Sequence, residues 1–282
     1  MRLKTTLIAM ALGSLSINAN ALSLYPHTGL EDDNLDFFIT DVDADDALDV
    51  GDELFAVAEF GKVFEVGGIG SQSTPSFGEL TAVSHIQVTA KVPTATPGLF
   101  NYSFGPSAAF EATYGAGAML ALFLDPTPDL NIVPPNCVSL VDCTNKATDG
   151  ALWMVAGIGT DLDDEWVALN AAEDINAVRT ANASTKVGAF NFALTVLTNN
   201  TGYKITPIGI DCFPLGPFQC NGDAATDIVG SGDLLGGNLL TNDADARSDT
   251  DIEFLAVPEP ASLLLLGASL LGIGATRRRK SA

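Results

Sequence analysis

LTAVSHIQVTAKV, residues Leu80–Val92, decides the class of fold. Leu80, Ala82, Ile86, Val88, Ala90 and Val92 fall on one side of an extended chain, with His85 among the residues on the other. A period of two is the signature of a strand with one buried face. The same period returns at Phe190, Phe192, Leu194 and Val196, and again at Ile252, Phe254 and Ala256. Gly117–Leu124 and Leu152–Ile158 are continuous apolar runs and read as strands buried on both faces. Further strands are expected at Leu54–Phe60, Val63–Val66, Glu111–Tyr114, Glu165–Leu169 and Tyr203–Pro207, and a helix over Val167–Val178. With about ten short strands joined by Gly-, Pro- and Asp-rich turns, the sequence predicts an all-β protein, a single antiparallel β-sandwich or jelly-roll-like domain. No repeat of propeller or solenoid type is present.

The two ends of the chain have a different composition. Met1–Lys4 is basic, Thr5–Ile17 is apolar and uncharged, and Ala19-Asn20-Ala21 is a small-x-small cleavage signal. Residues 1–21 therefore read as a secretory signal peptide. At the other end stand Val257, Pro258, Glu259 and Pro260, then the uncharged run Ala261–Thr276, then Arg277, Arg278, Arg279 and Lys280. As a helix, residues 261–276 would reach roughly 24 Å, a little short of a ~30 Å hydrocarbon core. The cations stay on the cytoplasmic side and place the body outside. The domains expected are a signal peptide (1–21), an acidic extracytoplasmic body (22–256), and a tail (257–282) with a transmembrane segment at 261–276.

The order Pro-Glu-Pro, short apolar span and cationic block resembles the PEP-CTERM sorting tail of Gram-negative bacteria, also described under an ice-binding label. The resemblance implies recognition by exosortase, a membrane protease, and transient anchoring in the inner membrane. It also implies delivery to the cell surface or to the exopolysaccharide matrix of a biofilm. No ladder of Thr-x-Thr strands is present, so ice binding is not expected. A plain C-terminal tail anchor is the alternative reading.

The body carries 34 acidic and 7 basic residues, a net charge of −27. Such a surface repels nucleic acid and anionic lipid and attracts divalent cations. Cys137, Cys143, Cys212 and Cys220 form two close pairs, and in an oxidising compartment an even count reads as disulfides. Of three connectivities the local one, 137–143 with 212–220, closes the shortest loops. Zinc is the alternative, without CxxC spacing or a neighbouring histidine to support it.

One stretch of the body points to a ligand. Asp41, Asp43, Asp45, Asp49 and Asp52 stand at relative positions 1, 3, 5, 9 and 12, with the Ala47 carbonyl at 7. That is the oxygen pattern of an EF-hand loop, and it also resembles dockerin-type calcium loops. Position 6 is Asp46 where glycine is usual, and both flanks look like strands. The alternative is a solvated acidic turn between two strands. Nucleophile elbows, phosphate-binding loops and zinc-protease helices are absent, which argues against an enzyme. The expectation is a non-enzymatic exported surface or matrix protein. A calcium-dependent carbohydrate-binding or adhesion module is the alternative, and a polymer hydrolase a more distant one.

Overall fold

The computed structural model describes residues 22–73, 78–131, 136–160, 163–209, 225–238, 240 and 242–258. The stretch Leu80–Val92 lies in β4 (Glu79–Pro93), which explains how the sheet is built. One edge of β4 pairs with β2 (Glu53–Glu65). Its other edge is divided: residues 79–84 pair with β6 (Ala118–Asp125), and residues 86–93 with β5 (Leu99–Pro106). β9 (Lys186–Asn199) repeats the arrangement. It holds β13 (Ile228–Gly236) on one edge and both β8 (Glu165–Ala172) and β7 (Ala151–Gly157) on the other. β6 pairs with β7 and β5 with β8, so the two forks meet.

β1 (His27–Thr40) and β14 (Ala246–Pro258) join β2 to β13 and complete the ring, with every pairing antiparallel. The all-β, antiparallel expectation holds, but in place of a sandwich of two sheets the strands form one continuous sheet closed around its interior. Closure pairs the long edges that an open sheet would leave free to aggregate. Short strands β3 (Ser71–Ser73) and β10 (Tyr203–Thr206) add to β2 and β14, while β11 (Ile208–Gly209) and β12 (Ala225–Thr226) pair separately.

The alternation read from the sequence sets inside from outside. Leu80, Ala82, Ile86 and Val88 of β4 point inward, with Leu54, Phe60, Leu122, Phe192, Leu194 and Phe254 in the same cluster. Burying each large side chain contributes roughly 1.5–3 kcal/mol. Phe192 lies over its cross-strand partner Gly230, where a Cβ would come within 2.0 Å of the ring. A ring laid over a strand glycine fills the missing side chain where a sheet bends.

The opposite face of β2, β4, β6 and β7 presents Val57, Val83, Ala121, Phe123 and Val155, which need a cover of their own. Helix α1 (Ala108–Tyr114) supplies Phe110, and helix α2 (Leu140–Ala147) supplies Cys143 and Ala147. Ser107 caps α1 by accepting from the Phe110 amide at 3.2 Å. Ser139 accepts from the Asp142 amide while Asp142 accepts from the Val138 amide, and the two bonds together start α2.

Three expectations need correction. Glu111–Tyr114 is helical, not extended, because Phe110 and Tyr114 pack on one helix face with tilted rings 4.5 Å apart behind the Ser107 cap. Val167–Val178 is not one helix. β8 runs to Ala172, and only Ile175–Thr180 (α3) is helical, started by Asp174 accepting from the Ala177 amide. Leu54–Phe60 and Val63–Val66 are not separate strands but lie along β2, which is irregular opposite Glu31 and Asp32 and ends at Glu65.

Candidate functional site

The acidic stretch Asp41–Asp52 connects β1 to β2, whose ladder closes at Thr40↔Glu53. Asp41 organises the turn: Oδ1 accepts from the Ala44 amide at 2.7 Å and Oδ2 from the Asp46 amide at 2.8 Å. Asp46 takes a φ of +64°, the left-handed conformation that glycine would supply at that position. Aspartate tolerates it better than most residues. Asp41, Asp43 and Asp45 each offer a carboxylate oxygen within 4.8 Å of the others. The Asp46 amide, ahead of an opposing burial effect, holds Asp41 below the usual carboxylate range. Desolvation and then the charge of Asp45 push Asp43 above it.

Asp49 and Asp52 have other partners. Asp49 pairs with Lys91 at 2.7 Å; Lys91 also reaches Glu173 at 2.5 Å and lies over the Phe100 ring. Asp52 is 2% exposed. It accepts from the Val42 amide at 2.9 Å and the Asp49 amide at 2.6 Å, tying the ends of the loop together. Ala47 bridges to Asp174 at the start of α3. The structure therefore brings together three of the five carboxylates, on the exposed rim of the barrel.

Cys137 and Cys143 form a disulfide across the start of α2. Cys212 and Cys220, the signal peptide with Ala19 and Ala21, and the tail from Glu259 through Lys280 lie outside the described residues. No helix among the described residues is long and apolar enough to cross a membrane. Val257 and Pro258 are the last residues of β14 and pair with Lys204 and Tyr203 of β10. The sorting triplet thus begins within the last rung of the sheet, with no linker before it.

Several other aromatic and polar side chains have structural roles. Trp153 and Trp166 are interior residues, Trp166 packed on Phe192 with ring centres 4.6 Å apart, so neither offers a face to a sugar. His85 lies beside Phe55 with Nε2 at 2.8 Å from Glu53 Oε2. Asp245 accepts from the Ile39 amide and pairs with Arg179. Asp164 accepts from the Gly159 amide and the Thr195 hydroxyl. An interior gap beside Phe37, Leu48, Leu54 and Val178 measures about 40 Å³ and is lined by apolar side chains.

Sequence spacing misses a second carboxylate group, Glu79, Asp125 and Asp129, which also meets within 4.8 Å. Only the pairing of β4 with β6 brings it together, and no local pattern encodes that pairing.

The family model described as the PEP-CTERM protein-sorting motif matches residues 256–280. No curated protein and no solved structure matches the chain. The strand that closes the barrel therefore runs directly into a PEP-CTERM protein-sorting motif.

Proposed function

We propose that this is a non-enzymatic exported protein of the cell surface or exopolysaccharide matrix, delivered by a signal peptide (1–21) and a sorting tail (257–282). An exosortase-type protease recognises Val257–Pro260 while residues 261–276 hold the tail in the inner membrane and Arg277–Lys280 stop it there. The body, residues 22–256, then works outside the cell. The observation that carries this reading is the match of the sorting motif to residues 256–280. A disulfide and a net charge of −27 agree with a soluble domain in an oxidising compartment. The test is fractionation of cells that contain an exosortase. Glu259→Ala should leave the protein uncleaved in the membrane; release of that variant at the normal rate would refute sorting through this motif.

A second reading is calcium-dependent adhesion or carbohydrate binding through the Asp41–Asp52 loop. It is favoured by the meeting of Asp41, Asp43 and Asp45 and by the left-handed turn at Asp46. Calcium would relieve the crowding of these carboxylates. Titration calorimetry should show a calcium site that disappears on combining Asp41→Ala with Asp45→Ala. An unchanged titration in that double variant would exclude the loop.

A further inference from the structure

Glu79 opens β4 and Asp125 ends β6, and the two are directly opposite in the ladder. They share the outer face with Thr81, whose hydroxyl donates to the Ala147 carbonyl of α2. Like charges directly opposite destabilise an antiparallel pair, and these two are 2% and 5% exposed. The segment after β6 folds back over them. Leu130 is buried and its amide donates to Glu79 Oε1 at 2.9 Å. Thr127 donates its amide and hydroxyl to Asp125 Oδ1, at 2.8 and 2.9 Å. Asn136 donates to the Asp129 carbonyl, which holds that residue at the mouth of the group.

Each buried carboxylate therefore gives one oxygen to the covering loop. The other oxygen, Oε2 of Glu79 and Oδ2 of Asp125, is buried without a hydrogen-bond partner. No Lys, Arg or His of the described residues forms an ion pair with Glu79, Asp125 or Asp129. A buried carboxylate left this way is costly unless a proton or a cation compensates it. Burial, opposed by the Leu130 amide and reinforced by the charges of Glu59 and Asp129, pushes Glu79 up to about 7. Asp149 stands close enough that burial and then the charges of Asp125 and Asp129 raise it too. A proton on Glu79 would still leave Oδ2 of Asp125 buried without a partner.

A divalent cation answers all of them together. The three side chains supply only oxygen donors, which suit a hard cation. Their mutual reach of 4.8 Å fits ligands around one calcium ion, since oxygens on opposite sides of calcium are roughly 4.6–5.2 Å apart. Gly78, at φ +121°, lets the chain pass against Asp125, where a Cβ would lie 2.2 Å from the Asp125 carbonyl oxygen. We propose that Glu79, Asp125 and Asp129, with Asp149 beside them, form a calcium site that fastens the 126–131 loop to the outer face of β4 and β6. This site is separate from the Asp41–Asp52 loop and does not depend on it.

The test uses the full-length chain, purified in detergent, carrying Asp41→Ala and Asp45→Ala so that the rim loop cannot respond. Calcium at a hundredfold excess over its dissociation constant should raise Tm by about 5–10 °C relative to EDTA. Calorimetry should count one site. Adding Glu79→Gln or Asp125→Asn should abolish both responses while leaving Tm in EDTA unchanged or higher, because a repulsion is removed. If either variant fails to fold, Asp129→Asn at the exposed mouth should weaken calcium affinity at least tenfold. No calcium response in the parent, or a response that survives Glu79→Gln and Asp129→Asn, overturns the proposal.

Discussion

Glu79 and Asp125 face each other across β4 and β6, each with one carboxylate oxygen bonded to the loop above and the other buried without a partner. The relationship makes stability without metal depend on pH. The folded carboxyl of Glu79 holds its proton up to about 7, against 4.5 as the ordinary value. A raised folded pKa stabilises fully below pH 4.5, and that contribution is lost as pH rises through about 7. In EDTA, wild type should lose on the order of 1–3 kcal/mol relative to Glu79→Gln between pH 4.5 and pH 8. Paired thermal melts followed by near-ultraviolet circular dichroism measure this, and parallel pH profiles would contradict it.

Asp52 acts as a fastener of its loop. Asp52→Ala would strand the Val42 and Asp49 amides beside a buried position, at a cost of about 2–4 kcal/mol. Asp41→Ala loses only hydrogen bonds at an exposed turn and should cost about 1 kcal/mol or less. Urea denaturation of both variants should rank them in that order. The reverse order would mean that Asp52 does not close the loop.

The Cys137–Cys143 disulfide closes a short loop at the start of α2, beside the segment that covers Glu79. Replacing both cysteines by serine should cost about 2 kcal/mol through the greater freedom of the unfolded chain. A Tm lowered by roughly 4–8 °C is the expected reading. An unchanged Tm, or free thiols located at Cys137 and Cys143 by peptide mass spectrometry in the exported wild type, would contradict the assignment.

Gly230→Val places a branched side chain where the Phe192 ring lies. The clash falls on the β9–β13 pairing within the closed ring. A loss of about 2 kcal/mol or more is expected by urea denaturation, partly recovered by Phe192→Ala in the same chain. Independent, additive losses would show that the two do not pack together.

The sequence discloses strands wherever a residue's own neighbours determine its environment. Leu80–Val88 and Phe190–Leu194 alternate because one side faces the interior, and that is legible in thirteen letters or fewer. Closure is not legible, because it depends on β4 and β9 each serving three neighbours along different parts of their length. The stretch Glu111–Tyr114 is ambiguous for a related reason: its letters fit an extended segment, while Phe110 and Tyr114 fit a helical spacing of four, and the Ser107 cap decides between them. In the acidic loop, spacing pointed to the meeting of Asp41, Asp43 and Asp45. It could not show that Lys91, distant in sequence, would take Asp49, or that backbone amides would take Asp52. The Glu79 group was invisible because its members are joined by strand register alone.

The mass of the mature protein tests most directly the proposal that the last residues are an address removed after use. Protein recovered from the cell surface or medium of an exosortase-containing host should lack Arg277–Lys280 and end at or near Val257–Pro260. A released mature protein whose mass includes Arg277–Lys280 would contradict the account.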